Sequence, residues 1–143
     1  MCIGNRDGGD DAIGPYVADK IKKIENKEMF ALDCGTVPEN YTSVVKKYYP
    51  KNLVIIDAVE MGLKPGEIRI VPEEKIGKMH VSTHGIPISV LMMYLKEHAG
   101  RILLVGIQPE IMAGRITKSV KKSGDKLVEI IKNKKIDEIE TLQ

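Results

Sequence analysis

Tryptophan is absent from the 143 residues and phenylalanine occurs once, so with five tyrosines the chain has few rings for the stacking platforms that hold single-stranded nucleic acid. An excess of positive charge is missing too. The 22 basic residues nearly cancel against 20 acidic ones, and the basic clusters Lys20-Lys22-Lys23, Lys118-Lys121-Lys122 and Lys132-Lys134-Lys135 read as solvated helix faces, so no nucleic-acid partner is indicated. Cysteine is limited to Cys2 and Cys34, without CxxC spacing, which reads as a chain with free thiols and no disulfide. No apolar run approaches the ~20 residues of a membrane span, and no basic stretch followed by an apolar one opens the sequence. A soluble, cytoplasmic protein without a membrane partner is expected. HExxH, GxSxG and GxxxxGK[ST] are all missing, and Gly4-Asn5-Arg6-Asp7-Gly8-Gly9 does not fit a dinucleotide fingerprint, which disfavours a zincin, a serine hydrolase and a P-loop NTPase.

What is present is an ordinary globular composition, 43% hydrophobic and 29% charged, in a length suited to one domain spanning residues 1–143. Short apolar, often β-branched runs alternate with helical patterns. Met29 to Leu32, Leu53 to Ile56, Ile68 to Val71 and Ile102 to Val105 read as strands. Between them Val17, Ile21 and Ile24 mark one helix face, Val44 and Val45 a short second helix, and Ile88, Leu91 and Leu95 a third. Ile116, Val120, Leu127 and Ile131 suggest a last helix, with Gly124 inside it, and the polar end from Lys132 to Gln143 reads as a helix end with a loosely held tail. Strands feeding helices through short connections imply a three-layer α/β fold, a doubly wound and mostly parallel sheet flanked by helices.

In such sheets ligands bind beyond the carboxyl ends of the strands. Polar and Gly-rich residues collect there in Gly4-Asn5 through Asp10-Asp11, Asp33-Cys34-Gly35-Thr36, Asp57-Ala58-Val59-Glu60, Ser82-Thr83-His84-Gly85 and Gly106-Ile107-Gln108-Pro109. Among these, Asp10, Asp11, Asp57 and His84 are the groups best suited to a divalent transition metal, since carboxylate plus imidazole matches nickel, zinc or iron. Each has a plainer reading. Asp10 and Asp11 fit equally as caps for the helix starting near Gly14-Pro15, and His84 fits a hydrogen-bonded structural residue. Asp57 is the most telling, because it ends the apolar strand Leu53-Val54-Ile55-Ile56, where a lone carboxylate is costly without a cation or donors. His80 and His84 are four apart, but Val81-Ser82-Thr83 between them suggests extended backbone, which leaves His80 a spare. Cys34 is either a soft ligand or a buried small hydrophobe.

Read in order, Cys2-Ile3-Gly4-Asn5, Gly9-Asp10-Asp11-Ala12-Ile13-Gly14-Pro15, Asp33-Cys34-Gly35-Thr36, Asp57-Ala58-Val59-Glu60-Met61-Gly62-Leu63-Lys64-Pro65-Gly66-Glu67-Ile68, Ser82-Thr83-His84 and Gly106-Ile107-Gln108-Pro109-Glu110 resemble the hydrogenase maturation proteases, especially the hydrogenase-3 type. The resemblance implies an endopeptidase that removes the C-terminal extension from the nickel-loaded large-subunit precursor of a nickel-iron hydrogenase. It implies Asp11, Asp57 and His84 as metal ligands, with Asp10 as a supporting acid and cap, and Cys34, Gly35 and Thr36 as substrate-binding. Nickel, supplied by the substrate, is the implied metal, and zinc or cadmium would substitute in vitro. Whether metal-activated water or an aspartate hydrolyses the bond is undecided by the sequence, so no catalytic residue is assigned. A non-enzymatic nickel chaperone acting on the same precursor, and a metal-free flavodoxin-like binding domain, are the competing classes.

Two departures from the family stand out. Cys34 replaces a Gly, which puts tight backbone approach there in doubt. Family members also carry several apolar residues before Gly-Asn, whereas this chain starts Met1-Cys2-Ile3, so a truncated first strand is expected, from a misassigned start or a shortened chain. Unpaired backbone groups in the sheet would follow.

Overall fold

A computed structural model describes residues 1–79 and 85–143; His80, Val81, Ser82, Thr83 and His84 lie outside the described residues. Strands β1 (Cys2–Ile3), β2 (Asp33–Gly35), β3 (Asn52–Ala58), β4 (Ile68–Val71) and β5 (Arg101–Ile107) form one sheet in the order β2-β1-β3-β5-β4. β1 pairs in parallel with β2 and β3, β3 pairs in parallel with β5 from Asn52 opposite Arg101 to Ala58 opposite Ile107, and among the described residues only the edge strand β4 is antiparallel. β3 and β5 are continuous apolar runs rather than alternating ones, as strands covered on both faces require.

That covering is visible in the core, which divides into two clusters. Leu53 and Ile55 of β3 and Leu104 of β5 face α2 (Thr42–Tyr48), α3 (Glu73–Ile76) and α4 (Ile88–Leu95) through Val45, Ile76, Ile88, Leu91 and Leu95. Ile56 and Ala58 of β3 and Val105 and Ile107 of β5 face α1 (Ile13–Lys22) and α5 (Lys118–Lys132) through Ile13, Val17, Ile21, Val120 and Leu127. The three-layer, mostly parallel sheet is as expected.

Two glycines let α1 sit close. A Cβ on Gly14 would lie 2.1 Å from the Ile3 carbonyl oxygen, so the start of α1 rests directly on β1. A Cβ on Gly124 would lie 2.7 Å from Ile13 Cδ1 and 3.0 Å from Tyr16 Cδ1. Close packing of α1 on α5 is therefore why a residue costing about 1 kcal/mol relative to Ala occupies a helix interior.

Four expectations need correction. The strand placed at Met29–Leu32 lies at Asp33–Gly35 instead, because a strand is a pairing state and its neighbour β1 is engaged only from the Cys2 N–H to Leu32 O bond (2.8 Å) onward. α1 ends at Lys22, leaving Ile24 beyond it. α3, a single turn, was not anticipated. The end of the chain is not loosely held: Ile139 and Leu142 are buried, Ile70 N–H donates to Glu140 O (2.9 Å) and Leu142 N–H donates to Ile70 O (2.9 Å), lining the open edge of β4. The first strand is short, as expected, yet its two residues occupy the sheet interior, and the Met1 ammonium donates to Val54 O at 2.8 Å. Beside it an apolar cavity of about 170 Å3, lined by residues such as Leu32, Val45, Leu53 and Val54, lies at the amino ends of the strands, opposite the expected site.

Candidate metal and cleavage site

Asp57 is the penultimate residue of β3 and continues the face that Leu53 and Ile55 present to the core. It is completely shielded from solvent, and neither carboxylate oxygen accepts a hydrogen bond of normal geometry. Burial, and then the charge of Asp11, push its pKa well above the usual carboxylate range, with the neighbouring Ala58 amide offsetting only part. Among the described residues the one other buried side-chain oxygen without a partner belongs to Glu39.

Asp11 belongs to the 3-10 turn Gly9–Ala12 that runs into α1, and its Oδ2 accepts the Asn5 N–H at 3.0 Å. The loop before it is shaped by Asn5, whose side-chain oxygen accepts the Asp7 N–H at 2.9 Å. The structure thus brings Asp11 and Asp57 together at the carboxyl end of the sheet. His84, the third expected ligand, and the spare His80 are outside the described residues, and among the described residues no group of three or more His, Cys, Asp or Glu is placed to hold a metal.

Asp10 has a different job from the one expected. No side chain caps the 3-10 turn or α1. Asp10, fully shielded, instead accepts four donors from residues 100 or more positions away in the chain: Glu110 N–H (2.8 Å), Ile111 N–H (3.0 Å), Thr117 N–H (2.7 Å) and the Thr117 hydroxyl (2.9 Å). Burial alone would raise its pKa, but the Thr117, Ile111 and Glu110 amides and the Thr117 hydroxyl more than reverse that and hold it below the usual carboxylate range. With both oxygens engaged, Asp10 is not a metal ligand.

The Asp33–Thr36 segment borders a cleft of about 420 Å3 together with Gly4, Asn5, Arg6, Val37 and Tyr41. Gly35 has φ +53° and open space where a Cβ would stand. Cys34 contributes backbone to this cleft while its thiol is buried, 3.6 Å from Leu32 O, with burial pushing its pKa up to about 12. That is the small-hydrophobe reading, not the soft-ligand one. Arg6, which sequence reasoning passed over, forks onto Asp19 of α1 (2.8 and 2.9 Å) and reaches Asp33 of β2 (2.5 Å), tying the cleft wall to the helix.

A pair of neighbouring carboxylates, one of them buried without a donor, calls for a cation: burial and the Asp11 charge favour the neutral form of Asp57, and a divalent ion would supply the missing counter-charge. The residues present fit a divalent metal, contributing hard oxygen ligands from the end of β3 and from the turn before α1.

Residues 15–134 match the family model described as hydrogenase maturation protease. Over 113 residues, covering 78% of this chain and 72% of the relative, the sequence is 39% identical to the hydrogenase 3 maturation protease of Escherichia coli K12. The fold superposes on the solution structure of an Escherichia coli endopeptidase with a TM-score of 0.90 at 32% identity, covering 99% of this chain and 94% of that one. It superposes on a [NiFe] hydrogenase maturation protease from Thermococcus kodakarensis KOD1 with a TM-score of 0.84 at 33% identity, covering 94% of this chain and 88% of that one.

Proposed function

This chain belongs to the hydrogenase maturation protease family, and on that premise we propose that it removes the C-terminal extension of a nickel-iron hydrogenase large-subunit precursor, taking the nickel already held by that precursor as its signal to cut. The observation that carries the reading is the orphaned carboxylate of Asp57 beside Asp11. Such an arrangement is unfavourable in the empty protein and becomes favourable when a cation arrives, which is the behaviour expected of a site that receives its metal from a substrate.

In this reading Asp11, Asp57 and His84 contact the precursor's nickel and thereby position the scissile bond. Two carboxylates and an imidazole are fewer ligands than a closed four-ligand cage, so the free protease holds metal weakly and most of the coordination comes from the precursor. Nickel brings Lewis-acid polarisation. The chain's own contribution is positional: Asn5 orients Asp11 through its backbone N–H, and the sheet fixes Asp57. The cleft past Gly35 and Thr36 receives the extended peptide. Burial and the Asp11 charge favour the neutral form of Asp57, and a cation held there would favour the ionised, ligating form, so the carboxylate would serve recognition of the loaded precursor. Zinc or cadmium fits the same oxygen and nitrogen ligands in place of nickel.

The cytoplasm is the proposed setting, in keeping with two buried free thiols and with the absence, among the described residues, of any helix long and apolar enough to cross a membrane. Incubation with a nickel-loaded precursor, followed by mass spectrometry for loss of the C-terminal peptide, tests the function. A complex that forms without loss of peptide would favour the nickel chaperone instead.

A further inference from the structure

The connection following β5 grips both the loop that leaves Asp57 and the turn that carries Asp11. Gln108, 3% exposed, accepts the Met61 N–H (2.7 Å) and the Leu63 N–H (3.2 Å) through Oε1 and donates through Nε2 to Glu60 Oε1 (2.9 Å) and Pro109 O (3.2 Å). These bonds fasten the loop that leaves Asp57. Main-chain bonds from Val59 N–H to Ile107 O (3.0 Å) and from Gly66 N–H to Gln108 O (2.8 Å) run alongside them. Two residues further on, the Glu110 and Ile111 amides and Thr117 hold the Asp10 carboxylate, while Asp10 N–H donates to Ile111 O (2.8 Å) and Gly9 N–H donates to Gly114 O (3.1 Å). These bonds fasten the turn that carries Asp11.

The turn at Gly9–Ala12 is outside the sheet, so the ladder that fixes Asp57 does not fix Asp11. The stretch 108–117 is bonded to both. We infer that Gln108 and Asp10 are positioning residues: through this shared stretch they set the spacing of the Asp11 and Asp57 carboxylates for a divalent cation, without touching the cation or the peptide themselves. The inference rests on Asp11 and Asp57 being the metal ligands. A buried glutamine or aspartate that merely stabilised its loop would matter for folding alone; a positioning pair matters for cation affinity at equal stability, because partners behind the ligands typically govern ~10–100-fold in metal binding.

Cadmium ion titrated calorimetrically into the full chain separates the two. Gln108→Met removes all four side-chain bonds at similar length. Thr117→Val removes the hydroxyl bonds to Asp10, at 2.9 and 3.0 Å, together with the 3.4 Å bond to the Ser119 hydroxyl, and keeps the Thr117 N–H bond to Asp10. Val128→Ala, in the apolar layer between α5 and the sheet, serves as a destabilised control remote from both loops. Both test variants should bind cadmium at least roughly tenfold more weakly than the control. The exchange Gln108→Glu with Glu60→Gln, which returns a donor and acceptor between the two positions, should recover most of that loss. Folded variants with cadmium affinity within twofold of the control would overturn the inference, and if Gln108→Met fails to fold, Thr117→Val decides by itself. A wild-type chain that binds no cadmium at all would instead remove the metal reading on which the inference rests.

Discussion

The Asp11 charge bears on the buried carboxylate of Asp57. After burial, the Asp11 charge is the largest influence raising the Asp57 pKa, and the Ala58 amide does not cancel it. A carboxyl whose folded pKa lies above its unfolded value of ~3.9 contributes stability that is full below that value and lost as pH rises through the folded pKa.

Asp57→Asn should therefore raise the melting temperature at pH 8 and leave it near the wild-type value at pH 4, where the wild-type side chain is neutral too. The expected gain at pH 8 is on the order of 1–3 kcal/mol. The same variant should lose processing activity. Scanning calorimetry at both pH values checks the first part, and a wild-type chain more stable than Asp57→Asn at pH 8 would contradict the burial argument.

Cation binding should favour the ionised form of Asp57. Because burial raises the Asp57 pKa, cadmium affinity measured calorimetrically is expected to rise more steeply with pH in the wild type than in Asp57→Asn. Parallel pH profiles for the two proteins would mean that Asp57 is not a ligand.

Cys2 and Cys34 should be inert. Both thiols are buried, burial raises the pKa of each, and that of Cys34 reaches about 12, so almost no thiolate exists near neutral pH. A colorimetric disulfide reagent should find no fast-reacting thiol in the native protein and two after denaturation. Rapid native labelling of Cys34 would reopen its reading as a ligand.

At Gly14 two effects oppose each other. Alanine gains about 1 kcal/mol in helix propensity, but its Cβ would stand 2.1 Å from the backbone oxygen of Ile3, with both partners fixed. The clash dominates, and Gly14→Ala should lower stability by roughly 1–3 kcal/mol or more. Chemical denaturation measures the sign.

Much of this was legible in the sequence, for identifiable reasons. β3 and β5 are built on unbroken apolar runs rich in Val, Ile and Leu, and Asp57 stands out because a carboxylate ends one of them. The position of β2 was not legible, since a three-residue strand is defined by its partner and not by its own composition. The partners of Asp10 are 100 or more positions away, so its short-range reading as a cap prevailed over the true one. Gln108 was quoted within a motif without a role. The reasoning used for Asp57, a polar residue closing an apolar strand, applies to it equally and would have marked it as buried and fully bonded. The C-terminal tail looked loose because Ile139 and Leu142 are isolated apolar residues in a polar stretch, and only the open edge of β4 gives them a place to pack.

The central claim is that nickel in the precursor licenses cleavage. The protease is first treated with chelator, then mixed separately with nickel-loaded and nickel-free large-subunit precursor, and release of the C-terminal peptide is followed by mass spectrometry. The account predicts cleavage of the loaded precursor alone, lost again when Asp57 or His84 is replaced by alanine. Equal cleavage of both precursors would contradict it.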